Sequence, residues 1–201
     1  STIWWSIMKL ISLLLITLLT SSCATQLPVA QGIKEISTSD YQSLVEKKTT
    51  KVEVYSGLYN QMTVSATRMD GEMTEAYLSH SARLLQWSAA QHQTEKAKMI
   101  SQGTEKTEFF VSFYTPERKH NDLSSNKSMW KIYLDINGQR YEGTAKKMKS
   151  QLTEIETMYP SHNRWSNPYS VTFPIAAAIA DGKPAVMTIT GTLASTQLKF
   201  E

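Results

Sequence analysis

The apolar positions of this chain take three spacings. From Leu10 to Leu19 they are nearly continuous, broken only by Ser12 and Thr17, over about 71–101 they recur at helical spacing, and elsewhere they mostly alternate with polar residues. Alternation sets one face of a strand against a core, whereas recurrence every three or four residues makes the stripe of an amphipathic helix.

Val52 and Val54 alternate within Lys51–Ser56, and Met62, Val64 and Ala66 within Gln61–Arg68, so this stretch predicts a hairpin. Phe109, Val111 and Phe113 share one face of the next strand, and Phe110 and Tyr114 the other. A strand apolar on both faces is expected to be central and covered on both sides. Met129–Ile136 is the clearest strand, with Trp130, Ile132, Leu134 and Ile136 inward. Asn137-Gly138 is the preferred two-residue hairpin turn, and Gln139–Lys146 is the return strand. Ser150–Met158 reads as a further strand. Tyr169, Val171, Phe173 and Ile175 alternate again, and Ala185–Thr192 and Ser195–Phe200 close the chain as a pair. Ser39–Lys47 fits a helix capped by Ser39 or a strand.

The helical stretch opens with Asp70 as a cap and with Glu72 and Glu75 in the first turn, where the helix dipole favours acids. Met73, Tyr77, Leu84 and Leu85 form its stripe, and after Gly71 no Gly or Pro occurs before Gly103. Leu84-Leu85-Gln86-Trp87 is expected to dock it on a sheet, with a partner-facing patch as the alternative. These elements predict a mainly β fold: an antiparallel β-sandwich of about eight strands with one long inserted α-helix at about 71–101.

The nearly continuous run decides the compartment. Lys9 precedes it, and the small residues Thr20, Ser21 and Ser22 follow, then Cys23, the only cysteine. A short apolar core between a positive residue and small residues is the pattern of a secretory signal. A spanning helix takes about 20 apolar residues. With Ile3, Trp4 and Trp5 the run almost reaches that length, so a membrane-spanning anchor is the alternative.

Leu19-Thr20-Ser21-Ser22-Cys23 resembles the lipobox of bacterial lipoproteins, with Thr20 where Leu is usual. The resemblance implies a signal peptide over 1–22 and lipidation of Cys23; Pro28, Gly32 and the lack of periodicity make 23–36 a tether, and the remaining length suits a single domain over 37–201. An acyl chain gains about 0.8 kcal/mol per buried CH₂, so several chains on one cysteine would make attachment effectively permanent. Ala24, in place of a retaining Asp, implies the outer membrane, facing the periplasm. The helix before Phe109-Phe-Val-Ser-Phe-Tyr114, the segment from His120-Asn-Asp-Leu to Trp130-Lys-Ile-Tyr-Leu, and Trp165 to Tyr169-Ser-Val-Thr-Phe-Pro174 together resemble an uncharacterised Gram-negative lipoprotein family. That likeness implies fold and location and carries no catalytic residue.

The formal charge of +3 loses one unit with Lys9 and is too even for a nucleic-acid partner. The usual nucleophile, zinc, phosphate-loop, dinucleotide and calcium motifs are absent, so no catalytic residue, metal or cofactor is assigned. One constellation remains. Two loops, Tyr114–Leu123 and Tyr159–Trp165, each carry His-Asn after a Tyr-Pro corner. If the fold joins them, His120, Asp122, His162 and Arg164 would form a ligand or metal site or serve acid–base chemistry. The alternative is that Asn121, Asp122 and Asn163 cap loop backbone while Tyr159 and Trp165 cover the core. His80 and His92 lie 12 positions apart, about 120° around one helix, so they would not share a metal. Three functions follow: a structural, assembly or binding module with an envelope protein partner; a metal-dependent or acid–base hydrolase; and a carrier of small apolar ligands.

Overall fold

The computed structural model describes residues 28–201, so the lipobox-like segment and Cys23 lie outside the described residues. Within them the order is α1 (Thr38–Lys47), β1 (Thr49–Ser56), β2 (Tyr59–Arg68), α2 (Gly71–Leu84), α3 (Ala89–Gly103) and β3 (Thr107–Tyr114). There follow a short 3₁₀ turn at Arg118–His120, β4 (Lys131–Ile136), β5 (Gln139–Glu142), β6 (Thr144–Lys147), α4 (Leu152–Met158), β7 (Asn167–Phe173), α5 (Ala177–Ala180), β8 (Ala185–Thr190) and β9 (Ser195–Phe200).

The fold is mainly β. Among the described residues nine strands form two antiparallel sheets, ordered β1-β2-β3-β7-β6 and β5-β4-β8-β9. The alternating residues of both sheets meet in one core: Val64, Phe109, Val111 and Phe173 from the first, Ile132, Leu134, Met187 and Leu198 from the second. β3 is central, as its two apolar faces require. Phe109 packs edge-on to Phe173 in that core, while Phe110 points to the opposite face, into a second cluster with Tyr41, Met73, Met158 and Tyr159. The helices therefore cover part of the outer face of the five-stranded sheet.

Where the chain passes from one sheet to the other, the expected return strand over 139–146 is cut in two. β5 pairs with β4 and β6 with β7, and Gly143 turns the corner. Its N–H still bonds Ile132 O at 2.8 Å, and a methyl group there would lie 2.6 Å from Phe173 Cε1. At the other edge Thr50 Oγ1 donates to Lys199 O at 2.8 Å, tying β1 to β9.

The single long helix is not formed. Asp70 does cap α2, accepting from Met73 N at 2.9 Å, and α3 does end at Gly103, but the helix breaks between them. Gln86 adopts a left-handed φ of 50°. Trp87 N reaches back to Ala82 O at 2.9 Å, the closure of a Schellman motif that usually places Gly at this position. Ser88 then starts α3 with a capping box to Gln91. Leu84 and Leu85 are consequently 46% and 59% exposed and do not dock on a sheet.

Ser150–Met158 contains a helix, α4, rather than a strand; Ile155 and Met158 turn inward together at helical spacing. Ser39–Lys47 lies in α1, capped by Ser37 rather than Ser39, with Tyr41 and Val45 buried. In the expected tether, residues 28–36 form no helix or strand, yet Ile33 is buried and Ile36 packs on the second cluster.

Candidate functional site

The outward positions of β3 divide the outer face of the five-stranded sheet into zones. Glu108 opens into a cleft, Phe110 and Ser112 are covered, and Tyr114 opens into a groove. The covering is the loop 159–166. Tyr159 stacks on Phe110 with centroids 3.7 Å apart and planes 1° from parallel. His162 Nδ1 shares a 2.7 Å hydrogen bond with Ser112 Oγ and stands edge-on to Phe110, and Ser161 bonds Ser65 at 3.2 Å.

The first sequence-predicted loop touches the strand that follows the second: Asn167 Nδ2, at the start of β7, donates to Asn121 O at 2.8 Å. The polar side chains of the two loops nevertheless engage opposite faces of the sheet. His162 is buried on the outer face, and burial lowers its pKa, opposed by the charge of Glu156. Asp122 meets the inner-face Tyr169, whose hydroxyl donates to Asp122 Oδ1 at 3.3 Å. Burial works against the Asp122 carboxylate, but bonds from Ser124 and Tyr169 and the charge of Lys147 together hold its pKa below the ordinary value. His120 contributes its backbone oxygen, which accepts the Trp130 indole N–H at 2.7 Å. Arg164 lies 5.9 Å over the Trp165 ring. Asn163 Oδ1 accepts from Trp165 N at 2.9 Å, the loop-capping role open to it from sequence. Among the described residues no three or more His, Cys, Asp or Glu side chains are grouped to hold a metal ion. The 120° relation of His80 to His92 does not apply, since they lie on separate helices; His80 stacks on Tyr41 of α1.

The larger opening was not legible in the sequence. It is a cleft of about 890 Å³ between the C-terminal half of α3, α5 and the sheet. Its floor is a row across three strands, Glu108 paired with Thr172 and Thr172 with Thr144, flanked by Ser170 and Lys146. Met69, Met99, Ile100 and Ala177 line its walls. α3 stands off the sheet: His92 is its buried residue, and its other side chains are partly or fully exposed. Ser170 Oγ donates to Glu108 Oε1 at 2.5 Å. Asp181 Oδ2 accepts from Gly71 N at 2.9 Å. Asp181 Oδ1 is buried and has no hydrogen-bond partner among the described residues. Cleft volumes of this order hold small molecules, and their few polar groups set the orientation. The one sequence signal was compositional: Ser, Thr and Ala at outward sheet and α5 positions are too short to fill the layer beneath a helix.

No helix among the described residues is long and apolar enough to cross a membrane. No protein-family model, no curated protein and no solved structure matches this chain.

Proposed function

We propose that the chain is a lipid-anchored cell-envelope protein whose folded part is a binding module for a small amphipathic ligand. In this reading Cys23 is lipidated and holds the protein at the outer membrane, facing the periplasm. The tether ends before the buried Ile33, and the two sheets form the sandwich of one domain. The cleft beneath α3 is the observation that carries the binding role. Its methionines, Ile100 and Ala177 suit an apolar body. The polar side chains of its lining, Glu108, Thr144, Lys146 and Asp181, suit a hydroxyl or amino group at one end. No catalytic role is assigned to any residue.

Two measurements test the two parts separately. Mass spectrometry of the N-terminal peptide from membrane-extracted protein should find acyl chains on Cys23; a bare thiol with residues 1–22 attached removes the anchor. Titration with the fluorescent apolar probe N-phenyl-1-naphthylamine should saturate, and Thr172→Phe, which fills the floor of the cleft, should abolish uptake. Uptake unchanged in that variant removes the ligand role and leaves the anchor standing.

A further inference from the structure

We propose that the groove at the Tyr114 end of the outer face binds a carbohydrate chain, with Trp165 and Tyr55 as platforms for its pyranose rings. This site is distinct from the cleft beneath α3. The strand register builds it: Glu53 pairs with Thr63, and Thr63 with Tyr114, so one outward row crosses three strands. A register shift between Val54 and Tyr55 sets Tyr55 opposite Asn60 at the rim. Such irregularities re-aim side chains at the ends of strands. The anchored loop supplies the far wall, and the groove, open to solvent, has a volume of about 520 Å³.

Trp165 is 71% exposed and Tyr55 54% exposed. The Trp165 backbone N donates to Asn163 Oδ1 at 2.9 Å, and Tyr55 OH donates to Glu53 Oε2 at 2.9 Å. Water-exposed aromatic faces are apolar area open to a flat partner. Around them stand planar polar groups. Asn60 Nδ2 donates to Thr63 Oγ1 at 3.2 Å, while Asn60 Oδ1 is buried without a partner among the described residues.

A pyranose ring answers both features. Its C–H face packs on an aromatic ring, and its hydroxyls donate outward to amide and carboxylate oxygens. A proline-rich segment would also stack on aromatic side chains, but proline has no N–H to give the exposed Glu53 carboxylate that lines the groove.

The test uses the full chain and three probes: tetra-N-acetylchitotetraose, cellotetraose and maltotetraose. Each is followed by tryptophan fluorescence and by calorimetry. At least one should bind saturably. Trp165→Ala and Tyr55→Ala should each weaken it at least about tenfold, and Asn60→Ala by a smaller factor, with melting temperatures unchanged because both rings are exposed. Thr172→Phe should leave sugar binding as it was. No saturable binding of any probe at millimolar concentration overturns the proposal. So does binding undiminished in both aromatic variants, or Trp165-dependent capture of a proline-rich decapeptide in place of the sugars.

Discussion

His80 lies flat against Tyr41, the ring centroids 4.0 Å apart and the planes 8° from parallel. The contact joins α2 to α1 in the layer over the sheet. Arg83 Nη2 donates to His80 Nδ1 at 3.1 Å and to Thr38 Oγ1 at 2.7 Å. Nδ1 therefore accepts, and the ring proton sits on Nε2. Burial, and then the charge of Arg83, lower the His80 pKa from 6.5 to about 4.

A depressed histidine pKa means that the unfolded chain binds the proton more readily. Stability from His80 is thus fully present above pH 6.5 and is lost as pH falls toward about 4. A tenfold change in proton affinity is worth about 1.4 kcal/mol, so the loss is at most about 3 kcal/mol. His162, also lowered by burial, acts in the same direction. Urea unfolding of wild type and His80→Phe should show a shallower decline in the variant across this window. Equal slopes would refute the assignment.

The corner at Gly143 leaves no room for a side chain. An alanine methyl would stand 2.6 Å from Phe173 Cε1 and 3.3 Å from Ile132 Cγ2, both in the core. Overpacking of this kind costs about 1–3 kcal/mol. Gly143→Ala should lower the unfolding free energy, read from urea titration, by that amount. Gly138→Ala meets no atom within 4 Å, so any cost there is its positive φ of 75° alone.

The His162–Ser112 bond pins the covering loop. His162→Ala should free the loop while leaving the inter-sheet core intact. Hydrogen exchange should accelerate at the His162 and Ser166 amides, which bond Tyr159 O and Asn163 O. Val111 and Val171, in the ladder, should stay protected. Faster exchange throughout the sheet would mean that His162 supports the whole fold instead.

Arg68 is buried and donates to two backbone oxygens, Lys183 O at 2.7 Å and Ala180 O. It fixes α5, one wall of the cleft, to β2. Arg68→Met keeps the bulk but strands both carbonyls, each costing about 1–3 kcal/mol. A fall in stability with weaker uptake of the naphthylamine probe is expected; full uptake would show that α5 holds its place without this residue.

Alternation along 51–68, 109–114, 130–136 and 169–175 determined the strands, because a two-residue period leaves one face to bury whatever the topology. Asn137-Gly138 determined its turn, where both residues take positive φ as a two-residue hairpin turn demands. Asp70 and Gly103 likewise bounded the helical stretch. The break at Gln86 was hidden because a residue other than glycine occupies the left-handed position. Only the Ser88–Gln91 capping box hinted at a second start. Whether 152–158 coiled or extended was settled by Ile155 and Met158 packing on the Phe110 side of the sheet, a contact between segments far apart in the chain. The cleft and the groove were likewise decided by tertiary structure. Each gathers single outward residues from several strands and one loop, and local periodicity carries no record of which strands become neighbours.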